Sequence, residues 1–306
     1  NYSIATGQTT TANITQLSSV TWNGNAGDGL WSSAANWAGS AIPDQNNVAT
    51  AVIPSAQSVT FDSDTVGTIG STITNNGTLT FNGATDYTFG QVISGSGALV
   101  KINTNTLTLS ATNTFSGDTT ISNGTIKLTG AVNAATDLII ASGATLDLQA
   151  MQTFASLDLD GTISRSAGTS TLTITGTSDL GGSITTSGTQ DYEGAVTVTG
   201  NSTLTTTSAQ ITFDTTVNSE TDETNNLTIT ASEVQFDGIV GGTRTLGVID
   251  ITGALDLDAA ITAATSLSVS GASNLGADVT TTGTQTYSGA TTLSGGARTL
   301  AGSTIQ

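Results

Sequence analysis

The chain has 306 residues, a formal net charge of −18 and a pI near 4.1, and contains neither Cys nor His. This excludes disulfides, thiol nucleophiles, Cys-ligated metals and imidazole chemistry. Its five Lys and Arg residues make no basic track for nucleic acid and draw it little to anionic lipid.

Thr fills 64 positions and Gly 36, while charged residues are only 9%. β-Branched residues favour pleated backbone, and disorder needs more charge and fewer apolar residues than this. The chain reads as almost wholly β. No run of about 18 apolar residues occurs, so this segment inserts into no membrane.

Residues 1–55 read as a region of their own. The polar first 20 residues (NYSIATGQTTTANITQLSSV) suit addition of a strand to a neighbouring subunit. All three tryptophans follow, Trp22, Trp31 and Trp37, in a stretch without period-two alternation that also carries Pro43. We expect an N-terminal strand and a Trp-rich cap, because the open end of a solenoid is a free sheet edge beside exposed core. The weaker reading of these tryptophans is a glycan contact.

Residues 56–306 repeat one texture: SVTFDSD (58–64), GTLTFNG (77–83), NTLTLSA (105–111), GTIKLTG (124–130), ATLDLQA (144–150), STLTITG (170–176) and NLTITAS (226–232). Each alternates with period two, so apolar and polar side chains take opposite faces of a strand. Such strands build either a sandwich or a stacked solenoid. Residues 176–197 align without gaps to 271–292, with 13 identities in 22 positions, which favours the solenoid because an ungapped match preserves register.

An aromatic-x-Gly signature also recurs, at Phe81 and Gly83, Phe115 and Gly117, Tyr192 and Gly194, Phe236 and Gly238, and Tyr287 and Gly289. The aromatic is expected to fill the coil interior and the glycine to permit a corner. The duplicated nine residues SGTQDYEGA (187–195) and TGTQTYSGA (282–290) are then one corner geometry at two heights of a column. The expected fold is all-β, a right-handed parallel β-helix (β-solenoid) with roughly 20–25 residues per coil, about a dozen coils and a length of roughly 60 Å.

The segment GSGALVKINTNTLTLSATNTFSGDTTISNGTIKL (95–128) resembles the passenger-associated repeat of autotransporters, and DLIIASGATLDL (137–148) is similar to the segment that often follows it. The Trp-rich stretch and the GTQ-x-Y-x-GA copies resemble parts of filamentous-haemagglutinin-type adhesins. The resemblance implies a secreted, right-handed β-helical stalk at a Gram-negative surface, used in adhesion, aggregation or biofilm.

The expected function is non-catalytic, structural and adhesive, with no cofactor. Its partners are itself, stacked head to tail in a filament, or glycans of a host or neighbouring cell. The alternative is a carbohydrate-binding or polysaccharide-cleaving β-helix, disfavoured because such sites gather acids with Arg or Lys in a groove. Outward Asp residues suggest Ca²⁺, but no calcium-binding nonapeptide or EF-hand loop is present. Thr arrays resemble ice-binding solenoids, but the Thr-x-Thr pairs do not fall at one fixed coil position.

Overall fold

The computed structural model describes residues 16–44, 46–62 and 71–306. The alternation becomes short strands. In Thr78–Phe81 and Thr106–Leu109 the Leu and Phe side chains are buried and the Thr side chains half-buried. The strand ladders are parallel, and the helical structure among the described residues is a single 3-10 turn, Ala34–Asn36. Parallel strands buried along one side stack into a β-solenoid of about 12 turns. At about 4.8 Å per rung the column is roughly 60 Å long.

Each turn presents up to three faces. The first begins with Ser58–Phe61, Thr78–Phe81 and Ala98–Lys101 and forms a nine-stranded sheet ending at Val217–Ser219. The bridges Val217–Val240 and Val240–Ile261 carry it onward, and it closes with Val279 beside Leu300. The second face runs from Tyr87–Phe89 through Thr106–Leu109 and Thr125–Leu128 to Thr304–Ile305. The third starts at the end of the column formed by Leu17–Thr21, Val48–Ile53, Thr72–Asn75 and Ile93–Ser94. It reappears as Gln152–Phe154 and continues to Thr291–Leu293.

Successive rungs differ in length because their corners differ. Ser178 and Val196 are partners 18 residues apart, whereas Val217 and Val240 are 23 apart. Some corners are loops. At others the strand bends through: Leu227–Phe236 serves the second and third faces, with a register shift between Thr230 and Glu233.

The N-terminal stretch is continuous with the column. Leu17–Thr21 pairs in parallel with Val48–Ile53 of its own chain, which pairs in turn with Thr72–Asn75. The Trp-rich residues between them are therefore one long first turn. The strand-donating segment expected over the first 20 residues lies mostly outside the described residues. Its described part, Leu17–Thr21, is already paired within its own chain.

The duplicated residues differ from expectation in an informative way. Ser178 and Leu180 lie on the first face, paired with Leu157 and Leu159. Their counterparts Ser273 and Leu275 lie on the third, paired with Leu255 and Leu257. Tyr192 is likewise on the third face, paired with Ile174 and Phe213, whereas Tyr287 is on the second, paired with Val269. The copies therefore do not repeat one corner at two heights. Each spans a full turn, from Ser178 to Val196 and from Ser273 to Thr291, but starts on a different face.

Candidate functional site

Glycine corners make close stacking possible. A Cβ on Gly117 would sit 2.4 Å from the Gly97 carbonyl oxygen, and one on Gly194 2.0 Å from that of Gly176. At Gly238 and Gly289 it would sit 2.0 Å and 2.2 Å from the oxygens of Thr215 and Gly271. These distances leave no room for a side chain where one turn passes over the last. The Gly83 carbonyl instead accepts a hydrogen bond from Asn103 Nδ2 at 3.1 Å.

Phe81, Phe115, Tyr192 and Phe236 are buried, and Tyr287 is partly buried. They do not share one stack. Phe81 lies on the first face, Phe115 precedes the first-face strand Thr119–Ile121, and Phe236 joins Tyr192 on the third. Between these two lies Phe213, which the signature misses because Asp214 and Thr215 follow it. Tyr192, Phe213 and Phe236 stack nearly parallel, with centroids 5.1 and 5.0 Å apart.

The tryptophans form a plug at one end. Trp22, Trp31 and Trp37 are 3%, 0% and 0% exposed, so no ring face is open to a sugar. Trp37 meets both others edge-on, at 5.0 and 4.6 Å, and Trp31 reaches Phe61 at 5.6 Å. Trp37 Nε1 donates to the Trp31 carbonyl at 3.0 Å. Buried Asn36 pins the loop, donating to Asp28 Oδ1 at 2.6 Å and to the Leu30 carbonyl at 3.1 Å. An antiparallel bridge joins Trp22 to Trp37, and Ala38 N–H donates to the Thr21 carbonyl at 3.0 Å. This covers part of the outer edge of the first strand and interrupts the parallel pattern there.

Thr291–Leu293 and Thr304–Ile305 are exposed, with Leu293 at 51% and Ile305 at 43%. Leu300–Ala301, Thr304–Ile305 and Thr291–Leu293 are the last strands of the three faces.

Lys101 is buried in the first-face stack between Phe81 and Ile121. Its ammonium donates to the carbonyls of Ile102 and Asn103 at 2.7 and 2.6 Å and to Asn105 Oδ1 at 2.9 Å. Burial lowers its pKa, and nearby Asp86 opposes that shift. The inward phase of ALVK was the sequence signal for this position. The cage ties one corner together and leaves no donor for a substrate.

The outward faces differ in charge. On the first, Asp158 and Asp179 are direct register partners. On the third, Asp191 and Asp256 point outward with uncharged register partners, Thr173 and Thr212 for the first and Gln235 and Asn274 for the second. Among the described residues no group of three or more His, Cys, Asp or Glu side chains is placed to hold a metal ion. The second face carries hydroxyls at fixed register. Thr162, Ser183, Thr203 and Thr228 form one rank, and Thr185, Thr205, Thr230 and Thr252 a parallel one. Thr-x-Thr pairs occur on all three faces, as at Thr78 and Thr80 on the first and Thr72 and Thr74 on the third, so they share no one coil position; on the second face, however, Thr203 and Thr205 stand in register with Thr228 and Thr230, which unequal corners conceal in the linear spacing. A groove of 430 Å³ follows the corner between the third and first faces, where Gln57, Asn76, Ser96 and Asp118 line stacked glycines.

One family model, passenger-associated-transport-repeat, matches residues 99–128. This short match, together with the parallel β-solenoid, fits an autotransporter passenger-type repeat. The matched residues span the strands Thr106–Leu109, Thr119–Ile121 and Thr125–Leu128, together with the Lys101 cage and the Phe115–Gly117 corner. The passenger repeat is thus about one and a half turns of this column. Its family implies a secreted or cell-surface protein. No curated protein and no solved structure matches the chain.

Proposed function

We propose that this chain is a non-catalytic stalk of a Gram-negative surface adhesin, holding contact surfaces away from the cell and adhering through many weak contacts along its length. The observation that carries this reading is the succession of parallel rungs through the described residues between Leu17 and Ile305, around one apolar interior. A rod of this kind pays its ordering entropy on folding, so repeated outward contacts add without further conformational cost. The absence of catalysis is part of the proposal: buried Lys101 is committed to its carbonyl cage. The stalk takes no cofactor.

We propose lateral, receptor and self contact as the adhesive mode, with copies of the chain and surface glycans as its partners. Glycan contact, where it occurs, is assigned to the corner groove beside Asn76 and Ser96 rather than to the tryptophans.

Beads coated with the purified chain test the adhesive reading. Retention on cell layers above that of uncoated beads supports it; retention equal to uncoated beads sinks it. Release of reducing sugar from acidic polysaccharides would overturn the non-catalytic part alone. A glycan array comparing the wild-type chain with Asn76→Ala/Ser96→Ala tests the groove.

A further inference from the structure

We propose that the second face is an ice-adsorbing surface, centred on Thr162 and Ser164, Ser183 and Thr185, Thr203 and Thr205, and Thr228 and Thr230. Register partners stack these positions turn on turn: Thr162 beside Ser183, Ser183 beside Thr203, Thr185 beside Thr205, Thr203 beside Thr228 and Thr205 beside Thr230. Every outward position over these four turns bears a hydroxyl, and none a charge, although the chain carries −18. One rank reaches back through Thr145 and Thr125 to Thr106 and ends forward at Asp250, the partner of Thr228; the other continues forward to Thr252 and is broken backward at Asp147 and Lys127.

The spacing is two-dimensional. Rungs repeat at about 4.8 Å, and alternate residues along a strand lie about 6.6 Å apart. The hydroxyls are mostly unspent. Thr162 and Ser183 approach each other at 3.4 Å, but Thr203, Thr205, Thr228 and Thr230 make no side-chain hydrogen bond among the described residues. Elsewhere such ladders close on themselves, as Thr50 and Thr72 do at 2.9 Å.

A single exposed hydroxyl gains almost nothing by exchanging one water for another. A rigid grid of hydroxyls and methyls gains most from a partner that is itself ordered in two directions, as the surface of ice is. Other occupants fit less well. A second copy of this face would bring no apolar side chain to form an interface core. A sugar lattice would find no aromatic platform at these outward positions.

The test is adsorption of the purified chain to a growing ice hemisphere, with single-crystal shaping as a second readout. The wild-type chain is expected to enrich in the ice and facet the crystals. Thr205→Lys/Thr230→Lys, which puts two ammonium groups on the array, is expected to lose both effects. Thr153→Lys/Thr173→Lys, a matched register pair on the third face, is expected to keep them. Unchanged urea midpoints show that the variants fold; if the first pair unfolds, Thr205→Lys alone takes its place. Exclusion of the wild-type chain from ice, or equal adsorption by both variants, overturns the proposal. So does loss, in the array variant, of self-association or of binding to crystalline cellulose without any ice adsorption, which would assign the face to those partners. None of these results bears on retention of coated beads by cells.

Discussion

Tyr192 and Tyr287 make the same hydrogen bond from different faces of the column. Tyr192 Oη donates to Gln190 Oε1 at 3.0 Å, and Tyr287 Oη to Gln285 Oε1 at 3.1 Å. Each Gln Nε2 donates in turn to a Thr hydroxyl, Thr186 or Thr281, and to a carbonyl of the next turn, Thr205 or Ala301. The duplicated residues therefore encode a Thr–Gln–Tyr relay that serves both the third face and the second. Gln190→Leu would leave the fully buried Tyr192 hydroxyl without its acceptor, a loss of about 1–3 kcal/mol. Gln285→Leu is expected to cost less, because Tyr287 is only partly buried. Urea unfolding of the two variants measures the difference.

Corner glycines are a steric requirement. Gly194→Ala drives a methyl onto the Gly176 carbonyl and is expected to cost about 1–3 kcal/mol or more. Gly90→Ala meets only Ser110 Oγ, at 3.4 Å, and is expected to stay within about 0.5 kcal/mol of wild type. Thermal melts of the pair separate a corner constraint from the general effect of replacing glycine.

Trp31→Ala empties the centre of the plug, where the side chain is fully buried, and is expected to cost about 3–5 kcal/mol. Trp31→Phe also removes an indole N–H that has no hydrogen-bond partner, so its cost is expected to be smaller. Calorimetry resolves the order. Full stability in Trp31→Ala with lost glycan binding would instead make the plug a sugar site.

Stability is expected to rise as pH falls from neutrality. Burial, then the negative charges of Asp214, Glu193 and Asp237, raise the Asp191 carboxyl above its ordinary 3.8. Burial, then Asp160 and Asp179, raise Asp158; burial, then Asp256 and Asp237, raise Asp258. A raised folded-state pKa means that the fold binds the proton more tightly than the unfolded chain does, so the penalty at neutral pH is relieved as pH falls through the raised value. Asp28 has the opposite sign: the Ser33 hydroxyl foremost, then the Leu30 N–H, lowers it. Its contribution is present above 3.8 and fades as pH falls through the folded value. Urea midpoints measured against pH should therefore climb into the carboxylate range and turn over below it. A steady fall from neutrality would contradict the crowding of these acids.

The strands and their inward residues were legible because period-two alternation survives in segments as short as Thr78–Phe81 and Thr106–Leu109. The passenger-type repeat was legible for the same reason, its motif being turns and strands in fixed order. Three features were not. The second-face array escaped because corners of unequal length scatter Thr203 and Thr228 in sequence while register brings them side by side. The face change of the duplication escaped because each copy closes a full turn from any starting corner, so identity along the chain says nothing of rotation about the axis. The Lys101 cage escaped because three of its acceptors lie within the next four residues, in a loop whose backbone turns sharply at Asn103 (φ 75°). Composition carries no trace of such a loop.

Register is the foundation of the column, and a chain without native Cys allows it to be measured directly. Thr203 and Thr228 are outward partners on adjacent rungs, so their Cα atoms lie about 4.8 Å apart, within disulfide range. Thr203 and Thr230 are one step out of register, at about 8 Å, beyond the limit for an unstrained bridge. Under mild oxidation Thr203→Cys/Thr228→Cys should form an intramolecular disulfide with the urea midpoint retained, and Thr203→Cys/Thr230→Cys should remain reduced. Preferential bridging of the second pair, or bridging of neither, would contradict the stacked parallel column.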